Sequence, residues 1–144
     1  MKIYIDTNIV VADAVEKHPH SSNASSLFKA VQIRRWTPVI SAHGLAEIYS
    51  TLTGAPFRPR ISPVAAWQII EENVLASFEV APLIRNDYAR ILRECVDSGW
   101  TGGRVYDAIH VYAARKAKCE RIYTFNVPDF RQIAPDLVDR IMAP

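Results

Sequence analysis

The sequence has little cysteine and no long hydrophobic run. Its two cysteines, Cys95 and Cys119, lack a CxxC partner and lie in helix-like segments, so we expect free thiols and a reducing, cytoplasmic location. No apolar segment approaches the roughly 20 residues that span a bilayer, so we expect no membrane-spanning segment and no membrane partner. The five glycines and nine prolines are scattered, and no repeat or low-complexity tract is present.

Charge of either sign is also limited. The chain has 17 Lys and Arg against 15 Asp and Glu, a net charge of +2, which excludes a strongly basic nucleic-acid-coating protein. With 144 residues, of which 49% are hydrophobic, it fits one domain over residues 1–144 with a buried core. Small basic islands still permit an anionic partner; they are Arg34 and Arg35, Arg58 and Arg60, Arg104, and Arg115, Lys116 and Lys118.

Three carboxylates each stand alone in an uncharged stretch. Asp6 lies within residues 3–12, Glu47 within 37–57 and Asp107 within 105–114, and none of these stretches contains Lys or Arg. Burying a carboxylate is costly unless a hydrogen-bonded cation compensates it. If the fold brings the three acids together, the simplest compensating partner is Mg²⁺ or Mn²⁺, because both ions prefer oxygen ligands.

Strand-like and helix-like segments alternate along the chain. Strands are predicted at residues 2–5, 38–40, 78–81 and 121–125, with a possible edge strand at 137–141. The intervening segments have helical patterns, and Ser41, Ser62 and Asn86 are predicted helix caps. The alternation predicts an α/β fold with a mainly parallel sheet of four to five strands and helices on both faces. In such sheets the functional cleft lies beyond the carboxyl ends of the strands, where Asp6 and the loop at 124–129 are placed.

Four segments resemble, in chain order, the signature segments of PIN-domain proteins. They are IYIDTN at 3–8, SAHGLAEI at 41–48, YDAIH at 106–110 and TFNVPDF at 124–130. The chain looks most like the toxin component of VapBC toxin–antitoxin systems. The resemblance implies a three-layer α/β/α PIN-like fold and a ribonuclease that uses Mg²⁺ or Mn²⁺. It also implies a cognate antitoxin, a homodimer, and hydrolysis of RNA to a 3′-hydroxyl and a 5′-phosphate by metal-activated water.

The resemblance also assigns roles to individual residues. Asp6, Glu47 and Asp107 are the implied metal carboxylates, and Asn126 occupies the closest match to a fourth catalytic position that is polar or acidic in many relatives. Asp129, three residues later, is the other candidate for that position. A neutral amide lowers the charge of the site, so we expect one bound metal in the resting protein. The implied substrate-binding residues are Thr7, Asn8, Arg104, Thr124 and Asp129.

Other functions fit parts of the same sequence. A catalytically silent PIN-like module that binds RNA or protein is the main alternative, and the neutral Asn126 supports it. A metal-dependent phosphatase of another α/β type is a third, although the first strand lacks an Asp-x-Asp pair. His43 and His110 are spaced for a zinc site with neighbouring acids, but no HExxH motif accompanies them. We therefore expect two hydrogen-bonded, partly buried imidazoles.

Two tryptophans carry opposite expectations. Trp67 belongs to an apolar helical stripe, so we expect it in the core. Trp100 lies in a glycine-rich turn just before the helix of Asp107, where an exposed aromatic ring could meet an RNA loop.

Overall fold

The computed structural model describes residues 1–144 and contains one five-stranded sheet. Its strands are β1 (Lys2–Ile5), β2 (Thr37–Ser41), β3 (Glu79–Ala81), β4 (Arg121–Tyr123) and β5 (Ile141–Met142). They are arranged in the order β3-β2-β1-β4-β5, and every neighbouring pair is parallel. The predicted parallel sheet is therefore confirmed.

Seven α-helices connect and cover the strands. They are α1 (Thr7–Ala14), α2 (Ser21–Arg34), α3 (Ala42–Gly54), α4 (Pro63–Ile69), α5 (Arg85–Ser98), α6 (Arg104–Lys116) and α7 (Val127–Ile133). A π-helical segment, Ile70–Leu75, continues α4, and a 3₁₀ helix, Pro135–Arg140, precedes β5. No helix combines the length and hydrophobicity that crossing a bilayer requires.

The sheet separates two hydrophobic layers. Ile3 and Ile5 of β1 belong to the layer formed with α1 to α4, whereas Tyr4 between them belongs to the layer formed with α5 to α7. Successive side chains of a strand point to opposite faces, so one buried strand contributes to both layers. The predicted three-layer α/β/α arrangement is thus confirmed.

The predicted edge strand at residues 137–141 is largely wrong. Residues up to Arg140 form a 3₁₀ helix, and only Ile141–Met142 pair with β4. Pro135 at the start of this segment has a fixed φ that suits a helical beginning. The Asp136 carboxylate also forms two hydrogen bonds of 2.7 Å with Arg115, which holds the segment against α6.

Two of the three predicted caps are confirmed. The Ser41 and Ser62 hydroxyls accept hydrogen bonds from the backbone of Gly44 and Ala65. Asn86 is not the cap of α5, because the helix begins one residue earlier. The Asp87 carboxylate takes the capping role by accepting the Ile84 N–H at 2.8 Å.

The expectation of a buried Trp67 is wrong, and Trp100 is only partly exposed. Trp67 is 49% exposed, because the buried side of its helix is formed by Ala66, Ile70 and Val74. Trp100 is partly buried against the layer of α5 and α6. Cys95 and Cys119 are both free thiols, as expected.

Candidate functional site

Asp6 stands directly after the central strand and is held by its neighbours. It is the N-cap residue of α1, and its Oδ1 accepts the Thr7 N–H at 2.7 Å. Its Oδ2 accepts a hydrogen bond of 2.7 Å from the hydroxyl of Thr124, which follows the adjacent strand β4. Asp6 is 4% exposed. Two parallel strands thus end in a carboxylate and in the hydroxyl that orients it.

Glu47 reaches the same edge because α3 packs very closely against β2 and α1. At Gly44 an added Cβ would lie 2.8 Å from Cγ1 of Ile40 and 3.2 Å from Cγ2 of Thr7, so only glycine permits this approach. Glu47 lies one turn further along the helix. Its Oε2 is 3.3 Å from the Thr7 hydroxyl, which is also 3.4 Å from Oδ1 of Asp6.

Asp107 lies in the first turn of α6 and is electrostatically coupled to Asp6. Burial and the Asp6 charge raise the pKa of Asp107 from 3.8 to about 6, and Asp129 adds to this effect. Nearby His110 and Arg104 act in the opposite direction without cancelling the shift. Burial and the charge of Asp6 together make Asp107 resist ionisation, which is typical of acids in functional sites.

His110 supplies the internal countercharge of the site. Its Nε2 lies 3.1 Å from Oε2 of Glu47 and 3.6 Å from Oδ1 of Asp6. Burial disfavours the imidazolium, but contacts with Tyr4, Glu47 and Asp6 more than offset this and raise the pKa of His110 well above its usual value. The expected hydrogen bonding of His110 is confirmed, although the side chain is completely rather than partly buried.

The pKa of Glu47 is shifted downwards, in the opposite direction to the pKa of Asp107. Burial alone would raise the pKa of Glu47, but the hydrogen bond and charge of His110, assisted by His43 and Thr7, lower it overall. The negative charge of Glu47 is thus compensated by side chains of the protein, whereas that of Asp107 is not fully compensated. The spacing of His110 from Asp107 predicts a hydrogen-bonded imidazole, but its role as the countercharge of Glu47 is not evident from the sequence.

Comparison with known proteins identifies the fold family. The family model described as the PIN domain matches residues 3–134. The chain belongs to the PIN-domain family. It is also 32% identical over 81 residues to ribonuclease VapC27 of Mycobacterium tuberculosis, a match that covers 56% of this chain and 57% of that relative. The chain therefore aligns with just over half of the curated relative's length.

Solved structures show the same fold at low identity. VapC20 of Mycobacterium tuberculosis, described as a sarcin-ricin loop cleaving toxin, has a TM-score of 0.72 at 17% identity and covers 92% of this chain and 95% of its own. VapBC2 of Rickettsia felis, solved with a DNA fragment from its promoter, has a TM-score of 0.65 at 19% identity and covers 99% and 97%. These matches establish the architecture.

The donor chemistry of this PIN domain fits a hard divalent cation. Oε1 of Glu47 is buried without a hydrogen-bond partner, although Nε2 of His110 lies 3.1 Å away, because the Nε2 hydrogen bond goes to Oε2. Asp6 and Asp107 repel each other, and a cation beside them would relieve that repulsion. No three His, Cys, Asp or Glu side chains surround a common point. Asp6, Glu47 and Asp107 thus do not form a preformed three-ligand cluster; Mg²⁺ is usually bound by only one or two protein carboxylates, together with waters and substrate phosphates.

The remaining predicted site residues divide into two groups. Thr124 is completely buried and its hydroxyl is occupied by Asp6, while Asn8 Oδ1 accepts the Phe125 N–H at 3.4 Å. Thr7, Asn8 and Arg104 are all partly exposed; the Thr7 hydroxyl bridges Asp6 and Glu47, and Arg104 donates a hydrogen bond to Gln132. The structure places the Thr124 hydroxyl as a support for Asp6 rather than as a group open to substrate.

The two candidates for the fourth catalytic position, Asn126 and Asp129, are connected to the site in different ways. Asn126 is exposed, and its backbone N–H donates to the Thr124 hydroxyl at 2.9 Å. Asp129, in the first turn of α7, is also exposed, but its charge contributes to the raised pKa of Asp107. Asp129 thus influences the acids through its charge, whereas Asn126 is connected to the site through its backbone hydrogen bond to Thr124.

Proposed function

We propose that this PIN domain is a metal-dependent endoribonuclease that acts as the toxin of a type II toxin–antitoxin system. The observation that carries the proposal is the charge imbalance at the sheet edge. Glu47 is compensated by His110, but burial and the charge of Asp6 raise the pKa of Asp107 to about 6 despite the opposing effects of His110 and Arg104. Stabilising ionised acids in this position calls for a metal ion. The name of the M. tuberculosis relative, a ribonuclease, supports RNA as the substrate.

Asp6 and Asp107, with Glu47 beside them, are the residues proposed to hold Mg²⁺ or Mn²⁺. The bound ion would make the attacking water more acidic and offset negative charge on the phosphate. Water forms a new bond to phosphorus while the bond to the 3′-oxygen breaks, which gives a 3′-hydroxyl and a 5′-phosphate. Asp6, fixed by Thr7 and Thr124, keeps its orientation during this exchange, and no protein nucleophile is required.

The open side of the site supplies the proposed substrate contacts. Thr7 and Asn8 stand next to Asp6, and Arg104 begins the helix that carries Asp107. We assign the fourth position to Asp129 on the strength of its effect on Asp107, with Asn126 acting through the backbone of the same loop. Arg104 offers a guanidinium for a phosphate oxygen, because its charge already reaches the acids.

Exposed apolar residues support the proposed protein partners, an antitoxin and a second copy of the chain. Helix α5 exposes Leu92 at 53% and Val96 at 72%, and α4 exposes Val64 at 69% and Trp67 at 49%. Clustered apolar surface of this kind is typical of protein–protein contacts. Solved neighbours include a VapBC complex, which accords with this interpretation. A cytoplasmic location is proposed because Cys95 and Cys119 are free thiols.

A cleavage assay across substrates and cations tests the proposal. Single-stranded and structured RNAs are incubated with Mg²⁺, with Mn²⁺ and with excess chelator, and a small phosphomonoester is tested in parallel. We expect RNA cleavage that requires the cation and leaves 5′-phosphate ends, without phosphomonoester turnover. RNA binding without cation-dependent cleavage would instead indicate the catalytically silent module.

A further inference from the structure

An open cavity adjoins the acids on the side of Glu47. Its volume is about 430 Å³, and its lining residues are His43, Ala46, Glu47, Ser50, Thr51 and Tyr106. We refer to it as the Tyr106 cavity. Binding sites for small ligands typically begin at about 300 Å³, so it has room for a planar heterocycle. None of its residues except Glu47 takes part in the proposed hydrolysis.

An aromatic wall forms one side of the Tyr106 cavity. The rings of Tyr106 and His43 are stacked, with centroids 5.5 Å apart and planes inclined by 21°. Nε2 of His43 lies 3.4 Å from Oε1 of Glu47, and its Nδ1 lies 3.5 Å from the hydroxyl of Tyr88. His43 thus has a polar neighbour on each side, and its ring stacks against that of Tyr106.

Tyr106 is exposed where folding alone would favour burial. Half of its surface remains accessible although it is stacked on His43. It lines the same cavity as Glu47, so a group that contacts its ring there lies near this acid. Ser50 and Thr51, exposed on α3, place hydroxyl groups in the lining of the same cavity. An accessible ring with nearby hydroxyls is a suitable environment for stacking a base and hydrogen-bonding to its edge.

We propose that the Tyr106 cavity binds one unpaired nucleobase of the RNA, next to the cleaved phosphate, by stacking on Tyr106. The inference rests on the proposed function for its substrate class and extends it by assigning a base subsite. Single-stranded RNA exposes the faces of its bases, and aromatic side chains stack on them with little dependence on sequence. Ser50 and Thr51 provide the groups that can distinguish one base from another.

Equilibrium binding in chelator tests the subsite without any cleavage. The probe is a short fluorescent single-stranded oligoribonucleotide, compared with versions that lack the base at one position in turn. Tyr106→Leu removes the ring and keeps an apolar side chain, whereas Tyr106→Trp keeps an aromatic ring. Tyr49→Leu is the matched control, because Tyr49 is a similarly exposed tyrosine, at 41%, outside the cavity lining.

We expect Tyr106→Leu to weaken binding of the intact oligonucleotide by about 5- to 100-fold, the usual range for one stacked base. Tyr106→Trp and Tyr49→Leu retain binding. Removing the base at one position should weaken wild-type binding to a similar degree but have little further effect on Tyr106→Leu. Equal losses for Tyr106→Leu on intact and on every abasic oligonucleotide, or no loss at all, would overturn the subsite.

The two proposals fail in different ways. A protein that shows this coupling between Tyr106 and one base, yet never cleaves RNA with Mg²⁺ or Mn²⁺, keeps the subsite and loses the proposed hydrolysis. A protein that cleaves RNA with Mg²⁺ or Mn²⁺, yet shows no loss of oligonucleotide binding in Tyr106→Leu, keeps the hydrolysis and loses the subsite.

Discussion

The hydroxyl of Tyr4 lies 2.6 Å from Nδ1 of His110, and this pair connects the three elements that carry the acids. Tyr4 is two residues before Asp6 on β1, and His110 is three residues after Asp107 on α6. The same hydroxyl accepts the N–H of Ser41, the residue that caps the helix of Glu47. One buried phenol and one buried imidazole thus fix the relative positions of β1, α3 and α6.

Tyr4→Phe is expected to loosen this connection. The change leaves a buried Ser41 N–H and one nitrogen of His110 without a partner, a loss of about 1–3 kcal/mol in the free energy of unfolding. Because His110 positions Glu47, cleavage should also fall, by about 10- to 100-fold as for other partners of metal-binding side chains. Urea unfolding and RNA cleavage measure the two effects.

Tyr123→Phe is the control for this prediction. Tyr123 is a buried tyrosine on the neighbouring strand β4 but belongs to the opposite core layer. The Tyr123→Phe variant should retain most of the wild-type RNA cleavage. Unchanged cleavage by Tyr4→Phe, alongside the loss of stability, would show that the pair holds the fold without influencing the site.

Gly44→Ala should separate α3 from the site. The added Cβ would lie 2.8 Å from Ile40 and 3.2 Å from Thr7, and relieving such overlap typically costs about 1–3 kcal/mol. Since Thr7 contacts both Asp6 and Glu47, cleavage should decrease as well. Gly54→Ala, in the same helix with no atom within 4 Å of the new Cβ, should leave melting temperature and activity unchanged or raise stability slightly. Equal behaviour of the two variants would contradict the close-packing argument.

Asp107→Asn is expected to stabilise the metal-free protein while it abolishes activity. The pKa of Asp107 is raised from 3.8 to about 6, so the folded state is penalised as pH rises through this interval and carries the full penalty above it. After allowance for solvent screening we expect a gain of about 1 kcal/mol at pH 7. The gain should disappear near pH 4, where the carboxyl is protonated in the folded protein.

The same coupling is visible spectroscopically. In chelator, carbon NMR titration of Asp107 should show a lower pKa in Asp6→Asn than in wild type, because the repelling charge has been removed. An Asp107 pKa that does not respond to Asp6→Asn would show that the two carboxylates do not interact.

Asp87 should control stability in acid. Hydrogen bonds from Lys116, from the Ile84 backbone and from Tyr112 lower the pKa of Asp87 to about 2. A lowered carboxyl pKa contributes stability that is fully present above the ordinary value of 3.8 and is lost as pH falls towards 2. Asp87→Asn should therefore be less stable than wild type at pH 7, and the difference in urea midpoint should shrink between pH 4 and pH 2. A difference that stays constant with pH would contradict the role of the charge.

The sequence predicts the sheet and the location of the acids because both depend on local patterns. Short β-branched strands alternating with helices determine a parallel α/β fold, and Asp6 follows the first strand directly. Isolation from other charges identified Glu47 and Asp107. Predicting these features does not require knowing how the helices pack against one another.

Other features depend on tertiary contacts that no local pattern records. The sequence predicts that His110 is hydrogen-bonded, but its partners Tyr4, Glu47 and Asp6 are brought to it only by the tertiary fold. Trp67 is exposed because a different side of α4 packs against α3. Its apolar neighbours in the sequence predicted burial, which is wrong. Asp129 likewise acquires significance only because α7 brings its charge near Asp107.

Cleavage by carboxylate variants tests the central claim most directly. Wild type, Asp6→Asn, Asp107→Asn and the control Asp97→Asn, an exposed acid on α5, are compared on one RNA with saturating Mg²⁺ or Mn²⁺. The account predicts cleavage by wild type and Asp97→Asn and none by the two site variants, all four remaining folded. Undiminished cleavage by both Asp6→Asn and Asp107→Asn would contradict it.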